Sequence, residues 1–239
     1  MNAGSLELLD WDSRFFQLKI ARLTRPPESR EALEEALRAA RTDRIDCVYA
    51  LVPADAPEAG WLLEDAGFVA RDVRLEFSRA VDKRAIPSDV REWSEPDLHP
   101  LEEIATTAFS GTRFAADPRF PRDAVQNLYR TWIRNSCHGF AQSVLVEGPV
   151  GAPHGFVTLH REPDGVSGRI GLIGIASASR AKGVGTRLVT AALGWAASRQ
   201  FHDLKVVTQA GNIGAQRLYQ RAGFTTVSAA TWYHGWPSR

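Results

Sequence analysis

The chain has few cysteines, almost no net charge and no zinc-ligand spacing. Its 239 residues include 2 cysteines, Cys47 and Cys137, which lie far apart and belong to no CxxC or Cys/His cluster. This pattern disfavours a structural zinc site and predicts two buried thiols in a reducing compartment. The 29 basic residues nearly balance the 28 acidic ones, so the sequence disfavours a generally basic nucleic-acid-binding protein. Any phosphate site should therefore be local.

Membrane and export signals are also missing from the sequence. No apolar run approaches the roughly 20 residues that a membrane-spanning helix requires. The first residues, MNAGSLELLDWDS, contain no basic segment followed by an apolar one, so we do not expect a secretion signal. These features favour a cytoplasmic protein. Hydrophobic residues make up 44% of the chain, which is ordinary for a globular protein with one or two cores.

Hydrophobic periodicity predicts alternating helices and strands. The predicted helices cover residues 31–40, a short segment through 61–63, and 98–109, 121–137, 184–200 and 213–222. The predicted strands cover residues 47–52, 73–77, 142–147, 155–160, 169–176, 204–209 and 225–234. This succession predicts a mixed α/β fold. The charged segment 80–90, which carries a proline, is the best candidate for a linker.

A short internal repeat bears on the domain organisation. Residues 59–77, AGWLLEDAGFVARDVRLEF, parallel residues 215–233, AQRLYQRAGFTTVSAATWY. In each copy a helix leads to Ala-Gly-Phe and an alternating strand, and the glycine stands where a helix end needs a left-handed residue. Duplication and chance similarity both stay open. We predict an N-terminal α/β half, residues 1–82, without a glycine-rich loop, and a second domain, residues 83–239.

A glycine-containing loop precedes the helix predicted at 184–200. Residues 183–185 read Gly-Val-Gly, and Arg180, Lys182 and Arg187 add positive charge. Backbone N–H groups at a helix N-terminus favour a phosphate. The loop lacks the GxxxxGK[ST] pattern of a P-loop, and Leu188 stands where a dinucleotide-binding GxGxxG motif needs its third glycine. The loop therefore favours a pyrophosphate bound without metal; a plain turn or helix cap would have the same pattern.

Two motifs together resemble those of the GCN5-related N-acetyltransferase (GNAT) superfamily. Residues 180–186, RAKGVGT, are similar to the family's R/Q-x-x-G-x-G/A motif, and residues 212–224, NIGAQRLYQRAGF, are similar to its N-x-x-A-x-x-x-Y-x-x-x-G-F motif. The resemblance implies a GNAT fold, which is a mixed, mostly antiparallel twisted sheet splayed at its central strand. It also implies acetyl-coenzyme A as the co-substrate and no metal.

The resemblance also implies roles for single residues. The backbone of Ile173 and Ile175 would pair with the pantetheine arm of the coenzyme, which requires two neighbouring strands to separate. Gly174 and Ala176 have little side chain and are compatible with a β-bulge there. Asn212 would hydrogen-bond the pantetheine, cap the following helix, or do both. The pyrophosphate would be held by the loop, namely Arg180, Lys182, Gly183, Val184, Gly185 and Thr186.

Tyr219 has two interpretations. As an amphipathic residue of the helix 213–222 it would pack against Leu218 or Phe224. Within the motif it would lie beside the coenzyme sulfur. A phenol, with a pKa of about 10, stays protonated at neutral pH and can protonate a departing thiolate. An amine would attack the thioester directly, and a backbone N–H of residues 173–175 would hold the oxyanion.

A finer resemblance, to the TDP-fucosamine acetyltransferases, covers nearly the whole chain. It rests on residues 9–16, 108–114, 128–136, 207–212 and 232–233, which read LDWDSRFF, AFSGTRF, LYRTWIRNS, VTQAGN and WY. It implies that the acceptor is the amine of a TDP-4-amino-4,6-dideoxy sugar. The Gly-Thr step at residues 111–112 departs from the usual small residue plus serine, which leaves the exact sugar open.

Arg113 and Phe114 are the candidate substrate residues. Together they could hold a phosphate and stack on a base or sugar face. The alternative is that Phe114 belongs to the core and Arg113 forms a surface ion pair. The general base is not assigned, with His160 and Glu162 as candidates. Other acceptors (a protein N-terminus, a polyamine or an antibiotic), a catalytically silent acyl-coenzyme A-binding module, and a homodimer all stay open.

Overall fold

The computed structural model describes residues 5–82, 89–109 and 111–237. Residues 83–88 of the predicted linker and Ser110 lie outside the described residues. The chain divides into two compact units that are interleaved in sequence. The first contains residues 1–74, 112–124 and 228–239, and the second contains residues 75–111 and 125–227. The division into residues 1–82 and 83–239 stays a prediction about domains.

The helices and strands largely follow the predicted succession. The helices are α1 Asp10–Phe16, α2 Arg30–Thr42, α3 Pro57–Asp65, α4 Leu98–Ala108, α5 Arg122–Asn135, α6 Val184–Ser198 and α7 Ile213–Arg221. The strands are β1 Leu6–Leu8, β2 Ile20–Leu23, β3 Cys47–Pro53, β4 Val69–Ala80, β5 Val90–Glu92, β6 Ser143–Glu147, β7 Gly155–Arg161, β8 Ser167–Ile175, β9 Asp203–Gln209 and β10 Thr225–Gly235. The elements α1, β1, β2 and β5 were not predicted.

The first unit is a small sheet covered by helices. Its strands lie in the order β1-β2-β3-β10, with β2 and β3 parallel and the other neighbours antiparallel. Ser29 caps α2, because its side chain accepts a hydrogen bond from the N–H of Ala32. The apolar stripe of α2, with Leu33, Leu37 and Ala40, is buried in the core of this unit.

The second unit carries a mixed sheet in the order β4-β9-β8-β7-β6-β5. Strands β5 to β8 are antiparallel neighbours, and β8 and β9 are parallel. Helix α6 packs its buried face, including Leu188 and Val189, against Val157 and Leu159 of β7. This mixed sheet confirms the predicted α/β GNAT-like fold class.

The two copies of the predicted repeat end their helices in the same way. Gly67 and Gly223 both have a φ of 84°, as predicted for a left-handed residue after a helix. After α3 the N–H of Phe68 donates to the carbonyl of Leu63, and after α7 the N–H of Phe224 donates to that of Tyr219. These are the Schellman bonds that satisfy the last helical carbonyls. The strand after α3 lies beside β9, and the strand after α7 pairs with β3.

The parallel pairing of β8 with β9 covers only part of both strands. The paired residues are Ser167–Ile170 with Asp203–Val206, whereas the strands continue to Ile175 and Gln209. In the described chain, residues 171–175 of β8 therefore have no partner on the β9 side. This is the separation of neighbouring strands that the resemblance implied.

Candidate active site

The loop between β8 and α6 presents unpaired backbone N–H groups. The N–H groups of residues 181–186 donate no hydrogen bond to another residue in the described part of the chain. Ala181 and Gly183 have left-handed φ values of 61° and 80°, and Gly183 is the N-cap of the 15-residue helix α6. Because the helix dipole adds positive potential at this end, the loop suits an anion.

The basic side chains of the loop do not all add free charge. Arg180 and Lys182 are exposed and form no ion pair with another described residue. Arg187, in contrast, binds Glu147 through Nη2 at 2.6 Å and Asp89 through Nε at 2.8 Å. The expectation that Arg187 supplies positive charge to the loop is therefore wrong, because two carboxylates neutralise it.

The two glycines of the loop are needed for different structural reasons. Gly183 adopts a left-handed conformation, and a Cβ there would lie 2.9 Å from Nη1 of Arg187. At Gly185 a Cβ would lie 3.0 Å from Cδ1 of Ile175 and 3.1 Å from Cδ2 of Leu218. Gly185 therefore permits close packing of α6 against β8 and α7.

Strand β8 contains a bulge, but not at the predicted place. Thr158 of β7 faces the two residues Gly171 and Leu172, between the pairs Val157 with Ile173 and Leu159 with Ile170. The hydroxyl oxygen of Thr158 accepts a hydrogen bond from the N–H of Leu172 at 2.8 Å, which satisfies a donor that the bulge removes from the ladder. The suggestion of a bulge near residues 174–176 was therefore wrong, because the bulge lies at residues 171–172.

No empty space adjoins Gly174 on its side-chain side. A Cβ there would lie 2.6 Å from the ring of Phe156. Ile173 and Ile175 are half-buried and pack against the core cluster that also contains Val184 and Tyr219. The structure therefore brings together four of the predicted site residues, two from β8, one from α6 and one from α7.

Tyr219 is a core residue whose hydroxyl lacks a protein partner. Its side chain is 2% exposed, and its ring lies 5.9 Å from the rings of both Phe77 and Phe224. No described residue hydrogen-bonds its hydroxyl. Burial raises the pKa of the Tyr219 phenol above its usual range, so the group stays protonated at neutral pH. Both interpretations of Tyr219 thus have a basis: its ring packs with Phe224, and its hydroxyl is available as a donor.

Asn212 caps α7, as one of its two interpretations predicted. Its Oδ1 accepts a hydrogen bond from the N–H of Ala215 at 3.1 Å. The residue is exposed, and capping uses the carbonyl oxygen of the side chain. Its Nδ2 can therefore donate to a ligand at the same time.

The two candidates for the general base have other partners. Glu162 binds Arg169 at 2.6 Å. His160 is 8% exposed, and its burial, together with the charge of Arg169, lowers its pKa to about 4. A weakly basic imidazole that is so deeply buried is a poor proton acceptor, so the base stays unassigned.

The N-terminal copy of the repeat lacks the features of this site. In the alignment of the two copies Leu63 takes the place of Tyr219, and it is completely buried. Ala56 takes the place of Asn212 and makes no side-chain cap. The helix α2 that follows β2 is capped by its own Ser29 rather than by a glycine loop. This half therefore has neither the proton donor nor the open loop.

Arg113 and Phe114 belong to the first unit, where they form part of an aromatic cluster. The guanidinium of Arg113 lies 4.1 Å, 4.2 Å and 4.3 Å from the ring centroids of Tyr49, Phe114 and Trp232. Phe114 is only 4% exposed and packs against Phe16 at 5.1 Å. Its ring has no open face, so the suggested stacking of Phe114 on a base or sugar is not supported, and the core alternative applies.

A buried polar chain holds Arg113 in place. Its Nη1 lies 2.9 Å from Nε2 of His234, and Nδ1 of His234 lies 2.9 Å from Oδ2 of Asp117. Burial lowers the pKa of His234 to about 4. At Asp117 burial would raise the pKa, but the hydrogen bonds that this carboxylate accepts outweigh burial and hold its pKa at about 2. His234 is therefore neutral, donating through Nδ1 and accepting from Arg113 through Nε2.

Metal clusters and membrane-spanning helices are both missing from the described part of the chain. Within residues 5–82, 89–109 and 111–237 no group of three or more His, Cys, Asp or Glu side chains is arranged to hold a metal ion. Over the same ranges no helix has the length and apolar character needed to cross a membrane. Cys47 and Cys137 are both free and buried, as predicted.

Comparison with known proteins identifies the family. The profile of the acetyltransferase (GNAT) family matches residues 98–224, which is more than half of the chain. The protein therefore belongs to the GNAT family, and it is an acetyl-coenzyme A-dependent N-acetyltransferase. The match includes the loop, Asn212 and Tyr219.

Two curated relatives match beyond that profile. The chain is 29% identical to dTDP-fucosamine acetyltransferase of Escherichia coli O6:H1 (strain CFT073) over 97% of this chain and 98% of the relative. It is 23% identical to the spore coat polysaccharide biosynthesis protein SpsD of Bacillus subtilis (strain 168) over 96% of this chain and 82% of the relative. Among solved structures, a GCN5-related N-acetyltransferase from Sphaerobacter thermophilus is similar, with a TM-score of 0.65 at 17% identity, over 97% of this chain and 76% of that one.

Proposed function

We propose that the protein transfers the acetyl group of acetyl-coenzyme A to the amine of a nucleotide-linked amino sugar of the TDP-4-amino-4,6-dideoxyhexose type. The observation that carries this proposal is the extent of the match to the dTDP-fucosamine acetyltransferase. The family profile covers residues 98–224, whereas that match covers 97% of the chain. Similarity in the N-terminal half lies outside the shared coenzyme machinery, and it supports a shared acceptor as well as a shared donor.

The coenzyme would be held by the loop and by β8. The unpaired N–H groups of residues 181–186 suit its pyrophosphate, with Arg180 and Lys182 as exposed cations nearby. The unpaired edge of β8 at Ile173 and Ile175 suits the amide groups of its pantetheine arm. Asn212 would add a hydrogen bond through Nδ2. The remaining loop contacts would come from the backbone of Gly183, Val184, Gly185 and Thr186.

Acetyl-coenzyme A supplies an activated acetyl group and a thiol leaving group. A backbone N–H of residues 173–175 would stabilise the negative charge that develops on the thioester oxygen. Tyr219 would donate its hydroxyl hydrogen to the departing sulfur. Its raised pKa keeps that hydrogen in place before the reaction. The amine attacks the thioester carbon directly while the carbon–sulfur bond breaks, and the proton that the amine loses passes to solvent or returns to the phenolate of Tyr219, so no covalent bond to the enzyme is needed.

Arg113 is the remaining candidate for contact with the substrate. Its guanidinium is oriented by three aromatic rings and His234, which reduces the entropy lost when it binds an anion. We assign it to the diphosphate of the nucleotide sugar. A polyamine acceptor is less well supported, because Glu102 binds Arg134 at 2.6 Å and Glu103 lies 3.3 Å from His99. These carboxylates are engaged within the protein.

The test is a thiol-release assay with purified protein and acetyl-coenzyme A. TDP-linked 4-amino sugars are compared with the same sugars without the nucleotide, and with polyamines, peptides and aminoglycosides. We expect kcat/KM to be highest for the TDP-linked amino sugar. A higher kcat/KM for a simple amine or a peptide would exclude the proposed acceptor. Failure of coenzyme A to raise the melting temperature would exclude the proposed donor site, since ligand at 100 times its Kd stabilises by about 2.7 kcal/mol.

A further inference from the structure

Arg187 links the coenzyme loop to the hairpin formed by β6 and β7. It is a cation in the first turn of α6, a position that the helix dipole disfavours. Its side chain turns back, and Nη1 donates to the carbonyl of Lys182 at 3.2 Å. A Cβ at Gly183 would lie 2.9 Å from the same nitrogen. The guanidinium therefore lies in the space that a side chain at position 183 would enter.

A buried carboxylate fixes this arrangement. Oε1 of Glu147 accepts hydrogen bonds from Nε and Nη2 of Arg187 at 3.1 Å and 2.6 Å. The side chain of Glu147 is 5% exposed, whereas that of Arg187 is 34% exposed. The other carboxylate oxygen of Glu147 lies 3.0 Å from Nδ1 of His154. Two charge-assisted hydrogen bonds to the same carboxylate oxygen define the position of a guanidinium better than a single contact does.

The same hairpin also holds the beginning of the loop. The carbonyl of His154 accepts a hydrogen bond from the N–H of Ala176 at 2.8 Å, just after β8. Between these two attachments lies Ala181, whose left-handed φ of 61° is unfavourable for a residue with a Cβ. A loop with such strain keeps its conformation only when its surroundings hold it.

We propose that Glu147 is a positioning residue for the coenzyme: through Arg187 it holds the carbonyl of Lys182 and thereby keeps the N–H groups of residues 181–186 available to the pyrophosphate. This inference rests on the proposed role of the loop. Without Glu147, Arg187 keeps only its more exposed carboxylate partner, Asp89, and loses the buried contact that holds it against Lys182. The loop then gains conformations in which a carbonyl meets the anion. The expected loss is in coenzyme binding rather than in chemistry, because neither residue is assigned to the reacting atoms.

The test uses the full chain and four variants, namely Glu147→Gln, Arg187→Gln, the double variant and Glu102→Gln. Glu102→Gln is the matched control, because Glu102 also has a side chain that is 5% exposed and also accepts from an arginine at 2.6 Å. The Kd for coenzyme A is measured by calorimetry, KM and kcat by thiol release, and the melting temperature without ligand. Titrating all proteins in the same buffer allows the Kd values to be compared directly.

We expect Glu147→Gln and Arg187→Gln each to raise the Kd for coenzyme A and the KM for acetyl-coenzyme A about tenfold, with kcat at saturation within about twofold. The double variant should lose no more than either single variant, since both act through one contact. Glu102→Gln should keep the wild-type Kd. Unchanged Kd in Glu147→Gln, additive losses, or a fall in kcat and melting temperature together would overturn the positioning role. Absence of coenzyme binding by the wild-type protein would instead overturn the proposed function.

Discussion

Replacing Tyr219 with phenylalanine removes one hydroxyl group and keeps the ring that packs against Phe77 and Phe224. General acid catalysis typically contributes about 10²–10⁴-fold to a rate, which equals about 2.7–5.4 kcal/mol of barrier. We therefore expect kcat to fall by at least about 100-fold in Tyr219→Phe. The Kd for coenzyme A should change by less than about threefold, because the proposed contacts of the coenzyme lie on the loop, on β8 and on Asn212.

The structure also predicts what this substitution does to stability. The hydroxyl of Tyr219 has no hydrogen-bond partner among the described residues, although the side chain is only 2% exposed. Its removal breaks no hydrogen bond to a described residue. The free energy of unfolding should therefore stay within about 1 kcal/mol of the wild-type value, or rise.

Tyr233→Phe provides a control with the opposite expected pattern. The hydroxyl of Tyr233 donates to Oε1 of Glu64 at 3.2 Å, and the residue is 7% exposed. Its loss should lower the free energy of unfolding by about 1 kcal/mol and leave kcat unchanged. Calorimetry, thermal unfolding and initial rates of thiol release measure the three quantities. Equal losses in kcat and coenzyme affinity for Tyr219→Phe would refute the role as proton donor and leave only positioning.

Three other predictions follow from single residues. Gly183→Val should raise the Kd for coenzyme A at least tenfold. A β-branched residue costs about 1–2 kcal/mol at a φ of 80°, and its Cβ would displace Arg187. An unchanged Kd by calorimetry would contradict this prediction. Asn212→Asp should keep the helix cap and the melting temperature but weaken coenzyme binding through loss of Nδ2, whereas Asn212→Ala should also cost about 1 kcal/mol of stability. The free energy of unfolding should fall as the pH falls from about 6.5 to 4, because of His160 and His234. Their pKa values are about 4 in the native protein and about 6.5 in the unfolded chain, so the unfolded chain binds more protons in this range. Asp72, whose pKa burial raises to about 6, acts in the opposite direction, and denaturant titrations of His234→Asn should show a smaller pH dependence than wild type.

The sequence predicted well those elements that have a clear hydrophobic periodicity or a residue that ends a helix. The stripe of α2 and the glycines after α3 and α7 specify local structure, because they act within a few neighbouring residues. The missed elements are short. Strand β2 has 4 residues without polar alternation and becomes a strand through pairing with β1 and β3, and β3 begins 24 residues after β2 ends. No local pattern contains that information.

The candidate site shows the same limit. The loop motif and the motif from Asn212 to Phe224 indicated the coenzyme, because these residues are contiguous in sequence. The partner of Arg187 could not be predicted from the sequence, since Glu147 lies 40 residues earlier and meets it only when β6 packs beside α6. The burial of Phe114 could not be predicted either, because it depends on Phe16, which is nearly 100 residues away in sequence.

The amino-acid sequence by itself indicated the GNAT family and predicted a pyrophosphate loop and a catalytic tyrosine after it, because each depends on residue types at fixed short spacings. Tertiary structure alone decided where the β8 bulge lies, which charges of the loop are neutralised, and that the hydroxyl of Tyr219 has no protein partner. Those properties depend on which distant segments come into contact, and contact between distant segments is set by the packing of the whole fold.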